Sequence, residues 1–419
     1  MEREGSGTTP WSYDVVGYHG GDFGLAIAAA QTVGALRASG RAVRTIGLAN
    51  HPPPPLRERL ARAVQSRRRQ ASSRTVALFQ ANPLEIAQHA FQWQAEVEPG
   101  ARSVCVPFWE LPVVPRSWEP ILRGMDAILA PTRFIQEACA RVAGPERVLH
   151  YPQSVTLPSG IEPAREAWGI SPGATVFLVS FDVGSGIDRK NPWAALEAFR
   201  RAFPGSEDVE LVIKTRPWSQ VPEFVGQLDR LRETIAGDRR IRIVERSLPY
   251  ADVMRLHASC DALVSLHRSE GLGLHLMEAM SLGRAVVATG WSGNLDFMTG
   301  ANSVPVPCAL VPVDPLHPHY RIERSRPGQV WAEPDVDAAA RAMRRLHEEP
   351  AWRIALGAQA ARDMDARRQE SARAATFAVL EERLSSSRRR SLAAAVWRTR
   401  WRLTLRGWRE LAGLGGAPR

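Results

Sequence analysis

The sequence predicts an α/β protein of two units, each a parallel sheet covered by helices on both faces. Three observations point there. Short apolar runs of strand length alternate with segments of helical composition. The alternation breaks once, at a Pro- and Gly-rich stretch from Ser154 to Thr175, and then restarts. The chain has 419 residues, which suits two domains at the usual ~100–200 residues each. The division expected is 1–155 for a first domain, 156–172 for a linker, 173–384 for a second domain with closing helices, and 385–419 for a basic tail.

The elements follow in order. YDVVGY (Tyr13–Tyr18) is a strand that ends in HGGDFG, and LAIAAAQTVGALRASG continues as a helix stopped at Gly40, where a C′ glycine suits a helix end. AVRTIGLA is a strand, and HPPPP after it must be a loop. RTVALFQ, RSVCVPF, DAILAP and RVLHYP are further strands with helical segments between most of them. After the break, TVFLVSFD is a strand, NPWAALEAFRRAF a helix and VELVIKTRP a strand. RIRIVERSLP, DALVSLH and AVVATG are three more strands, and the chain from Asp335 to about Leu384 reads as helical. A cleft is expected between the units, with ligands at the carboxyl ends of the strands.

Composition narrows the class. Hydrophobic residues are 44% and charged residues 23%, a balance that supports a large soluble core and argues against wholesale disorder. The polar start, MEREGSGTTPWS, argues against a secretory signal, and no run approaches the ~18 apolar residues of a spanning helix. Cys105, Cys139, Cys260 and Cys308 are scattered. They read as buried thiols in a reducing cytoplasm, with no zinc site and no disulfide frame. The net charge of +10 is uneven: from Arg383 to Arg419 ten arginines face one acid, Glu410. The rest of the chain is close to neutral, so it offers no track for nucleic acid.

Of the 54 basic residues only Lys190 and Lys214 are lysine. Both fall at or near strand ends facing the expected cleft. Lys is a compact, rotatable point charge and Arg a broad planar fork, so a phosphate held deep against backbone can select Lys. The alternative is that two lysines survive by chance. Glu270-Gly271-Leu272-Gly273 precedes a helix from near Leu274 that carries Glu278 and closes at Gly283. A Gly-rich turn feeding a helix N-terminus exposes unpaired N–H groups that attract phosphate, and a carboxylate there can accept hydrogen bonds from a ribose diol. The bland alternative is a strand–loop–helix with solvated glutamates.

The segment SEGLGLHLMEAMSLGRAVVATGWSGN resembles the E-x7-E region of glycosyltransferase family 4, the group 1 enzymes. RKNP resembles that family's basic motif after the first strand of its C-terminal domain. VVGYHGGDFGLAIAAA, PFWELPVVPRSWEPILRGMDAILAPTRFIQEAC and GQVWAEPDVDAAARAMRRL resemble further parts of a bacterial subgroup, in the family's order. The resemblance implies the GT-B architecture, two Rossmann-like domains with parallel sheets facing across a cleft. It implies transfer of a sugar from a nucleotide-sugar to an acceptor hydroxyl, with retention and without a metal or other cofactor.

Residue by residue, it implies that Glu278 holds the ribose and Glu270 the sugar hydroxyls, with Gly271, Leu272 and Gly273 alongside. Lys190 and Arg189 would neutralise the leaving pyrophosphate, and Gly20, Gly21 and Gly24 would let a loop approach the donor. There are departures. Gly184 stands where many relatives have Arg, so Arg189 or Lys214 must supply that charge. FWEL stands where many have a catalytic-side His, which makes Glu110 the candidate for acceptor orientation or proton handling, or else a surface acid beside Trp109. Trp291 and Asn294 are candidates for the sugar pocket, or for a capping turn with a core tryptophan. His19 reads as structural.

The expected partners are a nucleotide-sugar and a carbohydrate or lipid-linked acceptor. Rival readings are a nucleotide-sugar 2-epimerase and a non-catalytic binding module. In the tail, Trp397, Trp401 and Trp408 fall within about 40° on a helical wheel, beside Arg398, Arg402, Arg406 and Arg409. Leu392, Val396 and Leu403 form a second stripe. The tail is expected to touch an anionic membrane surface, or to brace the body.

Overall fold

The computed structural model describes residues 10–48, 74–94, 96–314, 317, 320, 328–372, 375–397 and 399. They fall into two compact units. The first takes Met1–Trp109, Val113–Gln153 and Glu370–Arg419; the second takes Glu110–Pro112 and Ser154–Gln369.

In the first unit six strands form one parallel sheet: β1 (Ser12–Gly17), β2 (Ala42–Gly47), β3 (Thr75–Gln80), β4 (Arg102–Cys105), β5 (Ala127–Ala130) and β6 (Val148–His150). Their order is β2-β1-β3-β4-β5-β6, with Tyr13 opposite both Val43 and Val76. Every residue of β3 is buried. Such continuous apolar runs are what a parallel sheet covered on both faces requires. Tyr13, Leu78, Val104, Leu129 and Tyr151 are core residues.

Phe377 enters the same core. It meets Tyr13 edge-on at 6.0 Å and Tyr151 at 5.4 Å between ring centroids. Glu381, one turn on, accepts from the Tyr13 hydroxyl at 2.8 Å and from Arg41 at 2.7 and 3.0 Å. The chain therefore returns to the first unit from Glu370, before the expected boundary at 384. The pull comes from one ring and one carboxylate, and helical periodicity does not reveal it.

The second unit repeats the plan with β7 (Thr175–Ser180), β8 (Val209–Thr215), β9 (Ile241–Glu245), β10 (Ala262–Ser265), β11 (Ala285–Thr289) and β12 (Val304–Val306). Their order is β12-β11-β10-β7-β8-β9, all parallel. The chain runs outward from β7 to one edge and then from β10 to the other. The point where strand order reverses thus lies between β7 and β10, where open α/β sheets bind ligands. An antiparallel pair, β13 (Cys308–Pro312) with β14 (Val330–Pro334), was not expected from the sequence, and neither was the short β12.

The Pro- and Gly-rich stretch is fastened to the second unit. Arg165 donates to Asp261 at 2.7 Å and to the carbonyls of Ser259, Pro172 and Ala174 at 3.0–3.1 Å. At the other end of the chain, Leu392, Ala395 and Val396 are buried on the first unit, where a Cβ on Gly124 would meet Ala395 at 2.7 Å. The Leu392–Val396 stripe therefore braces the body, while Trp397 is 66% exposed. Arg398, Trp401, Arg402, Leu403, Arg406, Trp408 and Arg409 lie outside the described residues.

Candidate active site

The site is assembled from the loops that follow β7 and β10. After β7, Ile187–Lys190 makes one helical turn and Asn191 takes a left-handed conformation, φ 49°, which Asn tolerates better than most residues. Its side chain caps Pro192–Ala202 and donates to Leu266 O at 3.0 Å. The Arg268 N–H donates to Arg189 O at 2.7 Å. These bonds fix the two loops against each other.

Four charged side chains then meet. Lys190 Nζ donates to Glu270 Oε1 at 2.5 Å. Arg189 Nη1 lies 3.1 Å from the same oxygen, and its Nη2 lies 3.6 Å from Glu110 Oε1. The rest of the Arg189 guanidinium donates to Ser269 O at 2.9 Å and to Ser185 O at 2.8 and 3.2 Å. Glu110 is anchored too, because the Ser269 hydroxyl donates to its carbonyl. Burial would raise the Glu270 carboxyl, but Lys190 and then Arg189 outweigh it and hold the group well below the usual carboxylate range. Burial would likewise discharge Arg189, and Glu110 and Glu270 together keep it charged. Lys190 is lowered by burial, with Glu270 opposing.

Eight residues on, Glu278 has a different environment. It is 5% exposed in the helix Leu274–Ser281, with no ion pair among the described residues. Burial pushes its carboxyl up to about 8, opposed only by the Tyr250 hydroxyl. The loop between the two glutamates is buried and tightly braced. Gly273 has φ +84°, a conformation open to glycine. A Cβ on Gly293 would collide with the Gly271 carbonyl, and the Gly293 N–H donates to Glu270 O at 2.9 Å.

Lys214 is the penultimate residue of β8 and is 7% exposed. Its ammonium has no hydrogen bond or ion pair among the described residues, and burial lowers its pKa, with Asp182 opposing. Gly184 is explained by packing: a Cβ there would meet Trp218 at 2.5 Å, and Trp218 donates to Asp182 at 2.9 Å. No cation fits at that position, and Arg216 is held by Asp182 at 2.5 Å. Lys214 is therefore a nearby cation without an ion pair among the described residues.

The remaining candidates divide. Gly20 (φ +81°) and Gly21 lie between β1 and the helix Gly24–Ala38 of the first unit, and Gly24 opens that helix. His19 Nε2 donates to Val15 O at 3.1 Å, as a structural histidine does. Trp291 is half-buried. Asn294 is fully buried, and its amide faces Thr289 O, His267, Ser292 and Met298. It is thus placed behind the Glu270 loop and does not line a pocket. Among the described residues no group of three His, Cys, Asp or Glu is arranged to hold a metal, and no helix is long and apolar enough to cross a membrane.

Residues 183–349 match the family model described as "Glycosyl transferases group 1". This part of the chain is a group 1 glycosyltransferase domain. The match contains Lys190, Lys214, Glu270 and Glu278. None of the curated proteins matches the sequence. A glycosyltransferase from Rickettsia africae is similar in structure, with 13% identity over 91% of this chain and 100% of that one, at a TM-score of 0.63. Sucrose-phosphate synthase from Thermosynechococcus elongatus has 15% identity over 90% and 100%, at 0.62. The HepE protein of Anabaena, crystallised with UDP and glucose, has 14% identity over 89% and 100%, at 0.58. These likenesses establish the GT-B fold.

The sequence reading missed His267, His275, Ser265 and Ser292. A signal was present: His267 precedes Glu270 by three residues, and His275 precedes Glu278 by three. The glycosyltransferase domain makes one prediction from Glu278 alone. Its folded pKa lies above its unfolded value, so the folded state holds a proton that the unfolded state releases. That stabilisation is present below the unfolded pKa and is lost as pH rises through about 8. The melting temperature of the ligand-free protein should fall between pH 5 and pH 9, and Glu278→Gln should flatten the fall. An equal slope in both proteins would show that Glu278 is not buried as described.

Proposed function

We propose that the chain is a retaining, metal-independent glycosyltransferase of the hexosyltransferase type, working in polysaccharide or glycoconjugate synthesis. It moves a sugar from a nucleotide-sugar to the hydroxyl of a carbohydrate or lipid-linked acceptor. The observation that carries this reading is one loop and helix holding two buried carboxyls in opposite states. Glu270 is ionised and locked to two cations, and Glu278 is pushed toward the neutral form. Titratable groups driven apart in this way mark sites with divided roles.

In this reading Glu278 accepts hydrogen bonds from the ribose diol. Glu270 accepts from sugar hydroxyls, with the amides of Gly271, Leu272 and Gly273 alongside. Lys214 and Lys190 face the diphosphate, and Arg189 acts from behind by holding Glu270 and Glu110 in place. Gly20, Gly21 and Gly24 give the first unit's loop room to approach the donor, and Glu110 orients the acceptor. The acceptor oxygen bonds to the anomeric carbon on the face the diphosphate leaves, the bond from that carbon to the diphosphate breaks, and the acceptor proton passes to the departing phosphate. Stabilising that charge is electrostatic work for preorganised cations and amides.

A thermal-shift panel of UDP-, GDP-, ADP- and dTDP-sugars should identify a donor, since a ligand of the folded state raises the melting temperature. With that donor and an added acceptor, the product should keep the donor's anomeric configuration. Glu278→Ala should weaken donor binding by roughly 1–3 kcal/mol, the cost of leaving the buried diol hydroxyls without a partner. Isomerisation at the sugar's C2 without transfer would instead identify an epimerase, and no nucleotide binding at all a non-catalytic module.

We also propose that the protein works in the reducing cytoplasm and rests on the anionic inner membrane surface through its tail. Exposed Trp397, followed in the sequence by further Trp and Arg, suits the headgroup region. The intact protein should sediment with vesicles containing phosphatidylglycerol at low salt and not at high salt. Removal of residues 398–419 should abolish this and spare donor binding. Equal sedimentation by both forms would leave the tail as a brace alone.

A further inference from the structure

Behind the Glu270 loop runs a line of five polar side chains. Their hydrogen-bond directions are all fixed by one residue. Asn294 Nδ2 donates to the Thr289 carbonyl at 2.9 Å, so its Oδ1 points the other way, toward His267 Nε2 at 3.2 Å. An amide oxygen has no proton to give, so Nε2 must carry one. Burial lowers His267 to about 4 and keeps the ring neutral, which leaves Nδ1 bare. Nδ1 lies 3.0 Å from Ser265 Oγ, and the serine proton must go there. Ser265 Oγ then has only lone pairs for His275 Nε2, 3.2 Å away, so His275 also carries its proton on Nε2. Burial and Lys190 hold His275 neutral as well.

On its other side Asn294 Oδ1 accepts from the Ser292 hydroxyl at 3.4 Å, and Ser292 Oγ accepts from the Glu270 N–H at 2.9 Å. Asn294, His267, Ser265 and Ser292 are buried, and His275 alone of the five is half-buried. It stands in the first turn of Leu274–Ser281, within electrostatic reach of Glu270 and Lys190.

We infer that His275 is a substrate-contacting residue for the sugar, offering Nδ1 as a hydrogen-bond acceptor to a sugar hydroxyl, and that Asn294 is the positioning residue that sets this tautomer through His267 and Ser265. The inference rests on the glycosyltransferase reading above. A hydroxyl-bearing group beside Glu270 would then meet two acceptors, the carboxylate and the imidazole, and so be gripped as a donor of two protons. The charged and titratable groups around the two rings are Glu270, Lys190, Arg189 and His257. His257 is itself buried and lowered to about 3, so none of the three histidines titrates near neutral pH.

Ser265→Ala breaks the line between His275 and His267 and leaves the Glu270 contacts in place. With the nucleotide-sugar that stabilises the protein in the panel above, Ser265→Ala should lose about tenfold in kcat/KM. Inhibition by the parent nucleoside diphosphate, which lacks the sugar, should be unchanged. Asn294→Asp puts a carboxylate beside His267, favours its imidazolium and turns the serine proton toward His275. It should add an acid limb to the pH–rate profile that the unaltered protein lacks. A merely structural role would weaken sugar donor and diphosphate alike and leave the pH profile unmoved, and either result would overturn the inference. Absence of any nucleotide binding in the unaltered protein would instead refute the underlying function.

Discussion

A carboxylate as buried as Glu270 persists as an anion only because two cations meet it, Lys190 at 2.5 Å and Arg189 at 3.1 Å. Removing a charge of this kind from water costs several kcal/mol, and the pair contributes no large net stability. Its value is placement. To bring both cations to one oxygen, the turn after β7 must end on Lys190 and the loop after β10 must present Glu270 at its base. Asn191, Arg268, Ser269 and Gly293 each fix one of those backbones. Glu110 arrives from a three-residue excursion, Glu110–Pro112, that belongs to the second unit. Its carboxylate faces Arg189 and its carbonyl faces Ser269, so the same cation orders it too.

The second carboxyl shows what the first would be without its partners. Glu278 lies on the helix that follows and is buried to a similar degree, yet among the described residues it has a tyrosine for company and no ion pair, and it is driven toward the neutral acid. A site built this way can bind hydroxyls at both ends while keeping a fixed negative charge at only one. Lys214, buried near Asp182 and Arg216 with no ion pair among the described residues, is complementary to an anion. This bears on why two lysines survive in an arginine-rich chain. One is tied to a carboxylate, and the other is buried with no ion pair among the described residues.

Much of this was legible in the sequence, and the reason is local. Most of the strands follow from apolar runs and breakers, and the Glu270–Glu278 loop from two glycines before a helix. The apolar runs put Lys190 and Glu270 just after strands, and the sheet order makes those strands neighbours. What was not legible depends on contacts between distant residues. The return of Glu370 and its successors to the first unit is set by Phe377 and Glu381. The enclosure of Arg189 and Asn294 is set by carbonyls that no spacing rule locates, so residues expected to line a pocket are instead buried within their own loops. β12, β13 and β14 are short and carry prolines, and their apolar patterns are too brief to distinguish from loop.

The most direct test of the central ion cluster is the ionisation of Glu270 itself. Carboxyl 13C NMR of glutamate-labelled protein, with the resonance assigned by its absence in Glu270→Gln, would follow it with pH. The structure requires the resonance to stay at its ionised position from pH 9 down to pH 4, while exposed glutamates begin to protonate. A Glu270 midpoint in the ordinary range between about 4 and 5 would mean that Lys190 and Arg189 do not hold it, and the account of the site built on that lock would fail.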